Sequence, residues 1–363
     1  MKNFATVLFK SLQQAGLMLL LAAGTLYAQQ ASPMLPLPQP TVSTIPANGD
    51  VNPYGLAFAP ANFAPGYTLK PHDLLITNFN NDLNLQGLGT TILRVNSNGQ
   101  ASQFFQSTAR GLTAAIGVVR AGYVFVGNVP TFDGTSATIQ PGSIQVLDGN
   151  GQFLGTLGTS SNVSGPWGMV VQDNGASAHV FVSNVLAGTV TRFDLKFPSP
   201  GVVQTVRAVI IGSGFNHRAD PAALVVGPSG LAFDSKNDIL YVASSVDNAI
   251  YALSGAAKTL TTIGSGTLVY QDLTHLHGPI QMAWAPNGDL LVANSDGSNA
   301  DPNQPSEIVE FTTAGQFVAQ SSVDANNGGA FGIAVDPIGK LAARIATVDD
   351  NQASVTTTTE IAH

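Results

Sequence analysis

One short pattern recurs along the chain about every 50 to 60 residues, and this repeat restricts the possible folds more than any other feature. Each copy places small residues, usually including a glycine, at the start of an apolar run. A spacing of this length is typical of a four-stranded propeller blade with variable loops, so six copies predict six blades. The copies are Asn52-Pro53-Tyr54-Gly55-Leu56-Ala57-Phe58, Ala115-Ile116-Gly117-Val118-Val119, Gly165-Pro166-Trp167-Gly168-Met169-Val170, Gly227-Pro228-Ser229-Gly230-Leu231-Ala232-Phe233, Gly278-Pro279-Ile280-Gln281-Met282-Ala283-Trp284 and Gly329-Ala330-Phe331-Gly332-Ile333-Ala334-Val335.

A second apolar segment follows each copy after a short turn. These segments are rich in Val, Ile, Leu and Tyr and are too short for helices, so they predict strands. They lie at residues 74–78, 124–128, 180–184, 240–244 and 290–294, with a less regular sixth at 343–347. Third and fourth strands follow, as at 91–95 and 102–105. The prediction is an all-β, six-bladed β-propeller with four antiparallel strands per blade.

The last repeat unit leaves room for only three strands before the chain ends. Residues 41–47 form a spare extended segment just before the first blade. An unpaired strand edge invites association, and closing the ring would remove it. We therefore expect about residues 41–47 to join the C-terminal blade as its outer strand.

The repeated Gly-Pro-x-Gly-[Leu/Met]-Ala-[Phe/Val], followed by Leu-[Tyr/Leu]-Val-Ala-[Ser/Asn], resembles the NHL-repeat family of six-bladed propellers. The resemblance covers residues 41–363 and implies the fold. Propellers of this shape include binding scaffolds, lactonase-like hydrolases and amide-forming lyases, so the resemblance alone does not identify a chemistry.

The first 28 residues have the features of a signal peptide. Lys2 and Lys10 precede an apolar run at 15–26, and the small-residue end Leu26-Tyr27-Ala28 is a cleavage site. The run is shorter than the ~20 residues that cross a bilayer, so we expect no membrane span in the mature chain. We predict export to the periplasm or the extracellular space, a Pro-rich disordered leader at 29–40, and a single propeller domain at 41–363.

The composition excludes several classes of protein. The chain has no cysteine, which rules out disulfides, a lipid-modified cysteine and thiolate metal sites. Its net charge of -8 falls to about -10 without Lys2 and Lys10, and no basic cluster offsets it locally. Such a surface repels nucleic acid. We expect a monomer.

The long connections should gather on one face of the propeller, where loops of this length often carry function. The last residue of each second strand should reach the same face and form a polar collar at the channel mouth, unless these side chains only shape the following turns. Tyr54 and Trp167 are candidate stacking surfaces there, or they fill the core between blades. The collar comprises Asn78, Asn128, Asn184, Ser244, Asn294 and Thr347.

Metal ligands are scarce. His217, His275 and His277 precede first strands on the long-loop face, and together they are a candidate zinc site. Asp296 begins an oxygen-rich stretch that is a candidate for calcium, although its spacing matches no known calcium loop. Neither metal is required by the sequence, and otherwise these histidines are solvated loop residues.

No nucleophile elbow and no phosphate-binding glycine loop occurs in the chain, which favours a role without chemistry. We therefore predict an exported binding or scaffold propeller that takes a protein, peptide or carbohydrate on the long-loop face. The alternative is a metal-dependent, lactonase-like hydrolase or a lyase acting at the channel mouth.

Overall fold

The strands pair into six four-stranded antiparallel sheets, and their first strands contact one another in a closed cycle. The computed structural model describes residues 33–35, 42–340 and 342–361, so the predicted signal peptide lies outside the described residues. This arrangement confirms the predicted six-bladed propeller. Within the described residues the sole helical element is a single 3-10 turn, Ser136–Thr138.

Each blade runs from an inner first strand to an outer fourth strand. Blades 1 to 3 consist of β2 (Val51–Phe58), β3 (Leu74–Asn80), β4 (Thr91–Val95) and β5 (Ala101–Gln106); β6 (Leu112–Val119), β7 (Tyr123–Asn128), β8 (Ser143–Asp148) and β9 (Phe153–Leu157); and β10 (Pro166–Asp173), β11 (Ser177–Asn184), β12 (Thr189–Ser199) and β13 (Val202–Ser213).

A small hairpin precedes blade 4 and contributes to the lining of a pocket. It consists of β14 (Arg218–Asp220) and β15 (Leu224–Val226). Blades 4 to 6 consist of β16 (Pro228–Asp234), β17 (Ile239–Ser244), β18 (Ala249–Ser254) and β19 (Thr267–Gln271); β20 (Pro279–Trp284), β21 (Leu290–Asn294), β22 (Glu307–Phe311) and β23 (Phe317–Ser322); and β24 (Ile333–Pro337), β25 (Ala342–Asp349), β26 (Ser354–Ile361) and β1 (Val42–Ser43).

The N-terminal strand closes the ring as predicted. In β1, Val42 pairs with Val355 and Ser43 with Ser354 of the C-terminal blade. The amide of Thr44 extends the pairing by donating to the carbonyl of Ala353 at 2.8 Å. The carbonyl of Thr44 accepts a hydrogen bond from the Asn78 side chain, so the same segment also contacts blade 1.

The repeat glycines allow the first strands of neighbouring blades to approach closely. A Cβ on Gly55 would lie 2.7 Å from the carbonyl oxygen of Thr113 in blade 2, and one on Gly230 would lie 2.6 Å from Cα of Gln281 in blade 5. Real Cβ atoms do not approach backbone this closely, so only glycine fits without moving a strand.

Blade 2 differs from the alignment made on the sequence. Leu56 pairs with Ile76, and the equivalent pair in blade 2 is Ile116 with Val126. Ala115, rather than Gly117, therefore occupies the position of Gly55. Space for this alanine comes from the neighbouring strand, because a Cβ on Gly127 would lie 2.8 Å from that of Ala115.

Blade 5 carries Gln281 where most other blades have the repeat glycine. The Gln281 side chain crosses to blade 6 and accepts a hydrogen bond from the Ile333 amide at 2.9 Å. The interface between blades 5 and 6 thus contains a polar bridge in place of a close backbone contact.

The segment Pro33–Leu35 contributes to the core, although the sequence predicted disorder across residues 29–40. Met34 and Leu35 are buried in the same apolar cluster as Leu291 of blade 5 and Ile333 of blade 6. Their backbone amides donate to a carboxylate oxygen of Glu310 at 2.7 and 3.3 Å. The prediction of disorder relied on the polar, proline-rich composition of the leader. It did not take account of the two apolar side chains, Met34 and Leu35, that pack into the core.

Among the described residues, no helix is long and apolar enough to cross a membrane.

Candidate functional site

A pocket of about 380 Å³ opens at the centre of the long-loop face. Its lining comes from blades 1, 4, 5 and 6 and from the β14–β15 hairpin. Several of its polar groups lie at or just beyond the ends of second strands, at Asn80, Ser245, Ser295 and Asp350. The pocket volume falls within the range of small-molecule sites.

Aromatic rings close the bottom of the pocket. Tyr54 stacks between Phe79 and Phe331 at centroid distances of 5.1 and 4.9 Å, and Trp167 meets Tyr54 edge-on at 5.7 Å. Burial, together with the charge of Asp350, raises the pKa of Tyr54, so its hydroxyl stays protonated. Tyr54 lines the pocket, whereas Trp167 packs within the core and is not part of the lining.

Three buried amide oxygens in blade 1, on Asn52, Asn78 and Asn80, have no hydrogen-bond donor among the described residues, and two of them belong to residues that line the pocket. The Asn52 side chain donates through Nδ2 to Asp350 at 2.8 Å, which directs its Oδ1 away from that carboxylate. Asn80 donates to Asn84 at 2.7 Å and likewise keeps Oδ1 unpaired. Both residues line the pocket. Leaving a buried acceptor unpaired costs about 1–3 kcal/mol, so these oxygens are suited to a ligand that donates.

The pocket carries carboxylates and no Lys or Arg in its described lining. Burial, with the charge of Asp349 beside it, raises the pKa of Asp350 to about 7, despite the hydrogen bond from Asn52. Burial also raises the pKa of Asp296, which lines the blade 5 side. A pocket of this sign disfavours anionic ligands.

The predicted collar residues do not reach this pocket. Asn78, Asn128, Asn184, Ser244, Asn294 and Thr347 are all buried. The asparagines bond to loops near their own strand ends, as when Asn128 bonds to Arg110 and Ser143. Because side chains alternate along a strand, in blades 1, 4 and 5 it is the next residue along the chain, Phe79, Ser245 or Ser295, that lines the pocket.

Blade 6 also differs in where its second strand ends. Leu56 pairs with Ile76, two residues before Asn78, and Ile333 pairs with Thr347, two residues before Asp349. Asp349 therefore holds the strand-end position that was predicted for Thr347. Burial, with the nearby charge of Asp324, raises the pKa of Asp349 to about 6.

The structure separates the three candidate zinc-binding histidines. His217 bonds to the carbonyl of Phe215, and His275 bonds to Asp272 and stacks on Phe317 at 4.0 Å. Among the described residues, the sole group of three metal-ligating side chains consists of His277, Asp296 and Glu307. Of the four predicted metal ligands, His277 and Asp296 thus lie together, and Glu307 is the third member of their group.

Sequence reasoning missed the residues that give the site its character. Asn52 lies inside the first repeat, where nothing in the local pattern marks it as a pocket residue. Glu307 begins a third strand, and no local motif connects it with the metal candidates. The sequence did contain a signal for Glu307. The chain has few glutamates, and this one begins the third strand of blade 5, whereas the third strands of blades 2 to 4 begin with Ser143, Thr189 and Ala249.

No family model and no curated protein matches the chain. Solved structures of similar fold include a regucalcin described as calcium-binding, from Agrobacterium tumefaciens, with 11% identity and a TM-score of 0.53 over 90% of this chain and 96% of that one. A luciferin-regenerating enzyme matches with 12% identity and a TM-score of 0.50 over 89% and 95%. A glucose dehydrogenase matches with 15% identity and a TM-score of 0.48 over 89% and 99%. At these identities the similarity shows the fold alone.

Proposed function

We propose that this chain is an exported binding propeller whose central pocket takes a small, uncharged molecule rich in hydrogen-bond donors, such as a sugar. The observation that carries the proposal is the pair of buried, unpartnered oxygens on Asn52 and Asn80. A polyol hydroxyl would donate to each of them. Membership of the NHL-repeat family and export through the N-terminal signal stay predictions.

The rest of the pocket supports a neutral polyol. The aromatic floor at Tyr54 and Phe331 offers a surface on which the apolar face of a sugar ring can pack. Asp350 adds an acceptor beside Asn52. The absence of cationic side chains from the described lining leaves a phosphate or carboxylate group without a counter-charge.

The test is a calorimetric titration of the chain from residue 29 with a panel of neutral mono- and disaccharides and their phosphorylated counterparts. We expect saturable binding of at least one neutral sugar and at least tenfold weaker binding of its phosphate ester. Asn80→Ala should weaken the binding, whereas Asn303→Ala, in an exposed loop, should not. Failure of every neutral sugar, or equal binding of the phosphate esters, would contradict the proposal.

A metal-dependent hydrolase or lyase at the same mouth is the second candidate. It is favoured by the grouping of His277 with two carboxylates, one of which, Asp296, also lines the pocket. Hydrolysis of a lactone panel that requires added metal and is abolished by Asp296→Asn would support this activity. Binding of a sugar without turnover would leave the binding role in place.

A further inference from the structure

Three turns at one end of blade 5 bring His277, Asp296 and Glu307 together. His277 immediately precedes the turn into β20, Asp296 follows the end of β21 by two residues, and Glu307 begins β22. Each side chain offers one ligating atom, and these atoms lie within 4.8 Å of one another. All three residues therefore come from blade 5 or the turn that leads into it.

Two ligating atoms of this group are buried and have no hydrogen-bond partner among the described residues. His277 is fully buried, and its Nδ1 is paired with Glu307 at 2.9 Å, which leaves Nε2 unpaired. Asp296 accepts the amides of Ser306 and Gly328 through Oδ2, which leaves Oδ1 unpaired. Each unpaired atom costs about 1–3 kcal/mol, so two in one group indicate a missing partner.

The charges at this end of blade 5 favour a cation as that partner. Glu307 is 1% exposed, and Asp296 is half-buried. Within the described part of the chain, no Lys or Arg forms an ion pair with either carboxylate, and the ion-pair partner of His277 is Glu307. Two carboxylates beside one imidazole leave a negative balance that a divalent ion would offset.

We propose that His277 Nε2 and Asp296 Oδ1 bind a first-row divalent metal ion of the zinc class. Glu307 acts as a positioning residue, since a carboxylate on Nδ1 fixes the imidazole tautomer that presents Nε2 to a metal. An imidazole nitrogen beside a carboxylate oxygen suits Zn²⁺, whereas Ca²⁺ prefers an all-oxygen set. Asp296 also lines the central pocket, so a metal held by these residues would lie beside that pocket. This inference does not depend on the sugar ligand proposed above.

The experiment is a titration of the chelator-treated chain from residue 29 with ZnCl₂, followed by calorimetry. We expect one Zn²⁺ per chain for the wild type. Asp296→Asn is the decisive variant because its amide oxygen can still accept the amides of Ser306 and Gly328, while an NH₂ replaces the free oxygen. It should weaken Zn²⁺ binding more than tenfold without lowering the thermal midpoint of the metal-free protein. Glu307→Gln should weaken binding about 10–100-fold.

The matched control is His179→Gln, because His179 also pairs with an aspartate, Asp194, at 2.8 Å but shares it with Arg192. This variant should bind Zn²⁺ like the wild type. Substitution by Co²⁺ gives a second readout, since visible absorption that disappears in Asp296→Asn would identify the ligand. Absence of Zn²⁺ binding by the wild type, or equal binding by Asp296→Asn, would overturn the proposal, whatever the sugar titrations show.

Discussion

Two asparagine side chains at the pocket each donate one hydrogen bond and leave their amide oxygen without a partner among the described residues. Asn52 has a positive φ of 61°, a conformation that asparagine tolerates better than most residues. This backbone places its amide between Asp350 and the open pocket. A positive φ and an unpaired acceptor at the same residue, Asn52, are features expected at a binding site.

Asp350 should make the stability of the protein depend on pH. Its pKa is raised to about 7, mainly by burial, so between about pH 4 and 7 the folded chain holds a proton that the unfolded chain has lost. The free energy of unfolding should therefore fall as pH rises through this range. The contribution of Asp350 is at most about 4 kcal/mol. Asp349, whose pKa is raised to about 6, adds a change of the same sign.

The measurement is urea unfolding of the wild type and of Asp350→Asn at pH 5 and pH 8. The variant should gain stability relative to the wild type as the pH rises, because its amide does not ionise. Asp82→Asn, at an exposed carboxylate in a neighbouring loop, serves as the control and should follow the wild type. Parallel curves for Asp350→Asn and the wild type would show that Asp350 does not titrate in this range.

The pocket lies on the long-loop face named by the prediction, but the predicted collar residues are buried and are not part of its lining. A shift of one residue reverses which side of a strand a side chain faces, so Asn78 bonds inside the fold while the next residue, Phe79, lines the pocket. His277 and Asp296 were both recognised as metal candidates. Their partner Glu307 could not be found from local spacing, because strand pairing within blade 5 brings it to them.

At the scale of elements, the first strands of several neighbouring blades meet through backbone contacts that leave no space for a Cβ at the repeat glycine, as at Gly230. Gly230→Ala should destabilise the fold by about 1–3 kcal/mol or more, since its Cβ would lie 2.6 Å from the backbone of Gln281. Gly339→Ala is the matched control, because its Cβ would make an ordinary 3.4 Å contact with Ala342. Denaturant midpoints of the two variants would give the comparison, and equal midpoints would show that the blades can separate without cost.

The segment Pro33–Leu35 acts as a small additional element between blades 5 and 6. Met34 is 2% exposed, and its amide is held by Glu310, so Met34→Ala should cost about 2–5 kcal/mol of unfolding free energy. Leu83→Ala removes a side chain that is 72% exposed and should cost almost nothing. If the two variants unfolded at the same urea concentration, the packing of Met34 would contribute little to stability.

Most elements could be predicted from the sequence because the repeat and the strand alternation agree over each blade. The third strand at 91–95 and the ring-closing strand were both placed correctly. The exceptions have local causes. Blade 2 has Ala115 at the crowded position, and Gly127 on the next strand leaves space for it. Strand β25 extends past Thr347 to Asp349. Its end was misplaced because polar residues interrupt the apolar pattern of this strand.

At the scale of the whole molecule, the chain has few charges for its size and an acidic balance, with 10% charged residues and a net charge of -8. The charged side chains that line the pocket are carboxylates, so the pocket has the same sign of charge as the whole chain. Anionic molecules are therefore disfavoured both on approach and at the site, whereas neutral polyols and metal cations are not. The two proposals, a sugar in the pocket and a metal at blade 5, thus depend on one electrostatic property of the protein.

Ring closure is the last property that the whole molecule determines. A chain beginning at residue 36 lacks Pro33–Leu35 and keeps β1, whereas a chain beginning at residue 46 lacks both. Without β1, strand β26 becomes an unpaired edge. The shorter chain should have a lower thermal midpoint than the chain from residue 36 and should self-associate as its concentration rises.

Thermal unfolding and light scattering during gel filtration would compare these two chains. The chain from residue 36 is the control, since it has lost the contacts of Met34 and Leu35 while the ring stays closed. Equal midpoints and equal masses would show that three strands suffice for the last blade. A lower midpoint with concentration-dependent mass would show that two residue pairs and the Thr44 bond to Ala353 join the ends of the propeller into one cooperative unit.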